Sequence, residues 1–301
     1  MRLSIVIINY KTLGPLQKCL ESLFLQTMQD FEIIVIDNEN NPQLTEILTR
    51  VGDRVKRVSN QENKGFGRGC NQGVAFSQGE IILLLNPDTY FVDQQALEKL
   101  LEYQKEHPEY GVVGAKIMDH QAGVITEKYD YPGLKKYPYL VSFEDLPGKI
   151  AWVLGALMLI PRAVYESVSG FDEDYFLYGE EADLCLRIRK AGYAIGYCSG
   201  AEVEHLGGAS ERQITEYEYW TKKQRGLYLF YVKNYPEAVW RKLLKKERLR
   251  ASYRLFMLKI EIHILRKKHY AIKVQRNQAI YDCIVKTSAD PRWLFPSCQS
   301  F

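Results

Sequence analysis

Near-continuous apolar runs and helix-period stretches take turns along the first part of the chain. The runs at 3–8 (LSIVII), 31–36 (FEIIVI) and 81–85 (IILLL) read as buried strands, with a shorter strand at 55–58 and a further one at 111–117. Between them apolar residues recur at helical spacing: Leu16, Cys19, Leu20, Leu23 and Phe24, then a helix over 42–50, then Leu97, Leu100 and Leu101. Residues 63–73, NKGFGRGCNQG, are glycine-rich and turn into a helix through Phe76. Strands alternating with helices predict βαβ units: an α/β fold with a mainly parallel central sheet flanked by helices. In such sheets ligands bind beyond the carboxyl ends of the strands.

Further on, residues 127–148 hold Tyr129, Tyr131, Tyr137 and Tyr139 among Pro and Gly and predict an irregular loop. The stretch 153–160 is apolar again. Residues 181–191 predict a helix with Leu184, Ile188 and Ala191 on one face and Gly192 as its stop, and 193–197 a strand. From residue 235 the pattern changes to long basic helices in which Leu249, Tyr253, Phe256, Ile260 and Ile264 fall at helical spacing. The expected division is a main domain over 1–235 and a basic helical C-terminal region over 236–301.

Composition adds limits. At 301 residues, 46% hydrophobic and 26% charged, the chain has room for one large α/β domain with an appendage and reads as an ordinary soluble protein. No apolar run approaches the roughly 20 residues of a membrane span. The N-terminal MRLSIVIINY enters a strand without the features of a secretory signal, so the expected location is the cytoplasm. The six cysteines are scattered without CxxC pairs and the five histidines do not cluster with them, which argues against a structural zinc site or a disulfide framework. The net charge of +3 hides an asymmetry: residues 241–276 carry thirteen Lys and Arg against two Glu.

Candidate chemistry lies at the strand ends. The apolar run 81–85 stops at Asn86-Pro87-Asp88, and an Asp there can bind Mg²⁺ or Mn²⁺, which would neutralise a diphosphate; the plain alternative is an Asp opening a turn. Asp37-Asn38 follows another strand and can accept from a nucleobase or sugar, or can be a turn or cap. The glycines of 63–73 would let backbone approach a phosphate, with Lys64 or Arg68 adding charge, although no Walker A or dinucleotide pattern is present. In GEEADLCLR, residues 179–187, Glu180, Glu181 and Asp183 open a helix. They can be simple N-terminal charge or can include a general base, with Arg187 placed to pair with Asp183. His205, beside Gly207-Gly208, is either structural or a metal ligand.

The order of these blocks carries a resemblance. SIVIINYKT, IIVIDN, NKGFGRGCNQG, LLLNPDT, WVLGALMLIPRAVYESVSGFDEDYFLYGEEADLCLRIRKAGY and HLGGAS, running from residue 3 to about 210, resemble the inverting family 2 glycosyltransferases of GT-A fold, most of all the dTDP-rhamnose rhamnosyltransferases. The resemblance implies a nucleotide-diphospho-sugar donor, Mn²⁺ or Mg²⁺ as cofactor, and a saccharide acceptor, often lipid-linked, in cell-surface polysaccharide synthesis. It implies Asp88 and His205 as metal ligands and Glu181 as the base, with Asp183 as the other candidate. On the donor side it implies Asn9, Tyr10, Asp37, Asn38, Lys64, Gly65, Phe66, Asn71, Asn86 and Pro87, and around the acceptor Trp152, Gly155 and Asp172. Two positions depart from the general family pattern: Asn86 stands where a DxD motif has its first Asp, and Glu181 stands where the base is usually Asp. These departures support the competing reading, a catalytically inert nucleotide-sugar-binding or partner protein on the same fold. The basic region lies outside the resemblance. It fits a peripheral helix on the inner face of the cell membrane, a helical pair packed as structure, or a homodimer interface; nucleic-acid binding is not expected because no recognised motif accompanies the charge.

Overall fold

The chain's geometry comes from a computed structural model that describes residues 3–51, 54–120, 122–211, 214–263 and 270–296. The apolar runs pair as parallel strands. β1 (Leu3–Asn9) lies between β2 (Phe31–Asp37) and β4 (Ile81–Leu85), and β3 (Val55–Ser59) extends the sheet beyond β2. β1, β2 and β4 are buried along their whole length, which is why they read as continuous apolar runs rather than alternating ones.

Beyond β4 the sheet turns mixed. β8 (Leu157–Pro161) runs antiparallel to β4, β6 (Tyr110–Asp119) antiparallel to β8, and β9 (Ala194–His205) parallel to β6. The short β5 (Thr89–Phe91) pairs with β9, and β7 (Gly123–Ile125) with β6, each antiparallel. Among the described residues the strand order is β3-β2-β1-β4-β8-β6-β9-β5, with β7 off this path.

Alternate residues of the strands feed two apolar layers. On one face Leu3, Ile5 and Ile7 meet α1 (Leu13–Phe24), α2 (Gln43–Val51) and α4 (Ala96–Glu106) through Leu16, Leu20, Leu44, Leu97 and Leu100. On the other, Val6 and Ile8 meet α3 (Phe66–Ala75), α5 (Arg162–Ser167) and α6 (Glu180–Lys190) through Cys70, Val74, Val164, Leu184 and Ile188. Each fully buried Leu, Ile or Val contributes roughly 1.5–3 kcal/mol relative to exposure, so these two layers hold the sheet rigid beneath its strand ends.

The chain divides into two compact units. One comprises Met1–Tyr131, Phe143–Glu173 and Glu181–Arg212; the other comprises Pro132–Ser142, Asp174–Glu180 and Gln213–Phe301. The expected boundary at 235 therefore falls inside the second unit. The physical reason is α7 (Glu216–Asn234), whose buried tyrosines tie it to the basic helices: Tyr228 and Tyr231 each donate to Glu247 of α8 (Glu237–His263) at 3.0 Å. Arg225 of α7 also donates to the Leu294 carbonyl, and α9 (Ala271–Ala289) packs on both α7 and α8. α8 buries Trp240, Leu244, Ala251, Leu255 and Leu258, whereas Leu249, Tyr253 and Phe256 of the predicted stripe are 66%, 65% and 62% exposed. Ile264, the last position of that stripe, lies outside the described residues. Cys298 does too; the other five cysteines are free thiols, in keeping with the expected absence of a disulfide framework.

Candidate active site

Three strand ends converge on one imidazole. β9 is longer than the predicted strand at 193–197 and runs on to His205, which pairs in register with Asp119 at the end of β6 and with Thr89 at the start of β5. Asn86-Pro87-Asp88 links β4 to β5 as a tight turn, closed by the Thr89 N–H donating to the Asn86 carbonyl at 3.2 Å with Pro in the position that turn prefers. Asp88 is thereby held against His205.

The distances are those of a small charge relay. His205 Nδ1 lies 2.8 Å from Asp119 Oδ2, and Nε2 lies 3.3 Å from Asp88 Oδ1 and 3.4 Å from the Asn86 side-chain amide. All three charged side chains are buried. Burial by itself pulls the imidazole pKa down; the carboxylates of Asp88 and Asp119 more than reverse this and hold it above its ordinary value. A site that binds a proton this firmly between two acids is one that favours a cation. With Nδ1 held by Asp119, Nε2 is the nitrogen that would be left for a metal ion, the pattern of a histidine oriented by a carboxylate. Two ligands on one Mg²⁺ or Mn²⁺ at about 2.1 Å stand roughly 3 Å apart, close to the Asp88–His205 separation. Among the described residues no three His, Cys, Asp or Glu side chains form a closed metal cage. A two-ligand set suits an ion that keeps water and substrate phosphates in its shell. The residues present thus fit the implied divalent ion.

Glu181 and Asp183, two residues apart on α6, have different surroundings. Asp183 is 3% exposed and gripped by Arg187 Nε at 2.8 Å, while the same guanidinium donates to the carbonyls of Val168 and Gly170. Glu181 is half-exposed, and a Cβ built on Gly155 would lie 3.7 Å from both its Cβ and the Phe66 ring. Glu181, Gly155 and Phe66 are therefore neighbours, as a shared acceptor site requires. Phe66 in turn packs edge-on against Phe171, and the half-exposed Asp172 follows on the same turn. Trp152, also half-exposed, anchors its indole N–H on the Asp130 carbonyl at 3.1 Å.

Other expected contacts are engaged within the chain. Asp37 is fully buried, and its carboxylate accepts from Asn9, from the N–H groups of Glu39 and Asn41, and from Arg57 Nη2 at 2.6 Å. Asn38 bridges Asn63, Gly65 and Asn60. Asn71 uses both ends of its amide to clamp Tyr165 and the backbone of Phe171. Asn9, Asp37 and Asn38 are buried, whereas Asn71, like Tyr10, Lys64, Asn86 and Pro87, keeps some exposed surface. The glycines of α3 have a packing cause: a Cβ on Gly73 would collide with Val6 Cγ1, on Gly69 it would meet Ile8 at 3.1 Å, and on Gly67 Phe171 at 3.0 Å. Of this segment only Gly65, at φ 84°, is shaped by the turn itself.

The sequence and the fold are both similar to those of known proteins. A model of glycosyl transferase family 2 matches residues 4–167, more than half of the chain. The chain belongs to glycosyl transferase family 2. This glycosyltransferase is 25% identical over 213 residues to a low-salt glycan biosynthesis hexosyltransferase of Haloferax volcanii, covering 67% of this chain and 66% of that protein. It is 25% identical over 233 residues to the N-acetylglucosaminyl-diphospho-decaprenol L-rhamnosyltransferase of Mycobacterium tuberculosis, covering 67% and 75%. The rhamnosyltransferase WbbL of Escherichia coli is 27% identical over 236 residues, covering 70% and 85%. The fold is that of GT-A glycosyltransferases: a mannosyltransferase from Pyrobaculum calidifontis, solved with GDP-Man and Mn²⁺, superposes with a TM-score of 0.60 at 14% identity, covering 97% of this chain and 88% of that one. The family match takes in Asp37, Asp88 and Asp119 and ends before Glu181 and His205.

Asp119 and Arg57 escaped the sequence reading. Asp119 had a signal, since β6, like β2 and the β4 turn, is an apolar run ending in a carboxylate. Arg57 had none: a lone Arg on an edge strand does not announce that it will hold Asp37.

Proposed function

We propose that this glycosyltransferase moves L-rhamnose from dTDP-β-L-rhamnose to a saccharide acceptor, carried on a lipid diphosphate, with inversion at the anomeric carbon. The observation that carries the reading is the convergence of Asp88 and His205, with Asp119 locking the imidazole, at the end of the buried sheet. The rhamnosyl donor and the lipid-linked acceptor are supported by the names of the relatives, several of which are rhamnosyltransferases and one of which acts on a diphospho-decaprenol.

In this reading Asp88 and His205 hold a Mn²⁺ or Mg²⁺ ion, which when bound neutralises charge on the donor diphosphate. Asn86, on the same turn, keeps its side-chain nitrogen 3.4 Å from His205 Nε2. Asp37 fixes the turn after β2 and Arg57 with it, so that this edge is preformed for the nucleotide. Glu181 accepts the proton of the acceptor hydroxyl as its oxygen bonds to the anomeric carbon. The carbon–oxygen bond to the diphosphate breaks in the same displacement and the diphosphate leaves with the electron pair. Asp183 takes no proton: its carboxylate is committed to Arg187 and serves to position α6.

The pair separates cleanly by mutation. Glu181→Gln is expected to lower transfer about 10²–10⁴-fold while donor affinity stays within about twofold of wild type. Asp183→Asn is expected to lose about 1–3 kcal/mol of stability, through an Arg187 left without its partner, and to bind donor less well only as far as the fold is loosened. Rate measurements with dTDP-rhamnose and thermal unfolding on both variants check this. Full turnover in Glu181→Gln removes Glu181 from the base role.

A further inference from the structure

A cavity of about 330 Å³ in the helical unit has no part in the transfer chemistry above. Five cations line it from three separate elements: Lys135 and Lys136 from the short turn before Tyr137, Arg250 and Arg254 from α8, and Arg276 from α9. Among the described residues none of the five has a carboxylate within ion-pair distance. Two of the guanidinium groups are held by aromatic faces instead, Arg276 over Trp220 at 3.8 Å and Arg250 over Tyr137 at 5.2 Å.

One acid reaches the cavity. Glu247 has its two oxygens capped by the hydroxyls of Tyr228 and Tyr231 at 3.0 Å, and burial raises its pKa. Arg250 and Lys136 lie within its electrostatic reach, and one acid against five cations still leaves the wall net cationic. Like charges gathered round a cavity repel one another, and arginines stacked on rings have already given up part of their freedom, so an incoming anion meets a prepared set of donors. A carboxylate would satisfy one planar fork. Three forks and two ammonium groups match an anion with several oxygens spread over two centres.

We propose that this cavity is a binding site for a diphosphate or a pair of adjacent phosphate groups, built from none of the residues given a part in the transfer. The shared chemistry admits two sources, the phosphate of a lipid headgroup and a soluble diphosphate. The residues concerned all belong to the helical unit, and the proposal does not rest on the identity of the donor sugar.

The test is isothermal titration of the full chain with inorganic pyrophosphate in EDTA, so that no divalent ion contributes. Saturable binding is expected, weakened roughly tenfold or more in Arg254→Gln/Arg276→Gln. It is expected to be nearly unchanged in Lys245→Gln/Lys259→Gln, which removes the same charge from exposed positions of α8 off the cavity. Flotation with phosphatidylcholine vesicles carrying phosphatidic acid then separates the sources: release of bound protein by pyrophosphate assigns a lipid phosphate, and pyrophosphate binding without vesicle binding assigns a soluble one. Absence of saturable binding overturns the proposal. So does equal weakening in the two double variants, because diffuse surface charge then accounts for it.

Discussion

Asp119 lies 2.8 Å from His205 Nδ1, so it favours a proton on that nitrogen and leaves Nε2 for the proposed ion. Removing such an outer carboxylate typically weakens metal affinity about 10–100-fold. Asp119→Asn is therefore expected to weaken Mn²⁺-supported dTDP binding by that factor while leaving metal-free binding unchanged, both read by titration calorimetry. Loss of both equally would mean that the variant merely misfolds. Asp88 and His205 were legible in the sequence because each interrupts a recognisable pattern, a strand end and a Gly-Gly turn. Asp119 was not, because its role depends on a β6–β9 register that joins residues 86 apart in the chain. The choice between Glu181 and Asp183 was equally closed to the sequence. Arg187 could be seen to pair with Asp183, but only packing shows one acid buried and the other half-buried beside Gly155 and Phe66.

At the scale of elements, the glycines of α3 show how one pattern serves two readings. NKGFGRGCNQG reads as a phosphate loop, but Gly69 and Gly73, four residues apart on a helix, let α3 sit directly on β1. Gly73→Ala forces a methyl group into Val6 and is expected to cost about 1–3 kcal/mol, seen as a lower Tm, with nucleotide affinity per folded molecule unchanged. A fall in affinity without a fall in Tm would return these glycines to the ligand. The parallel strands β1, β2 and β4 were legible because burial on both faces leaves nothing but apolar residues. β5 and β7 are three residues each and carry no periodicity to find. α7 was missed because its buried face is built from Tyr228 and Tyr231, whose hydroxyls need the Glu247 of another helix.

For the molecule as a whole, the basic region identified by charge is part of a helical unit that begins earlier than the charge does. No helix of the described residues is long and apolar enough to cross a membrane. α8 shows Leu249, Tyr253 and Phe256 to solvent among lysines and arginines. A peripheral membrane contact through this stripe predicts that Leu249→Ser/Phe256→Ser, at exposed positions, lowers co-sedimentation with vesicles containing phosphatidylglycerol without changing Tm; undiminished co-sedimentation, or none in the unmodified chain, removes the stripe from any membrane role. In the proposed mechanism Asp88 and His205 hold the ion that binds the donor diphosphate. The most direct test is the thermal stability of the full chain with dTDP, with Mn²⁺, and with both. At about 100 times its dissociation constant the pair together is predicted to add roughly 2.7 kcal/mol that dTDP in EDTA does not, and Asp88→Asn is predicted to abolish the difference. The same stabilisation by dTDP in EDTA and in Mn²⁺ would contradict the account.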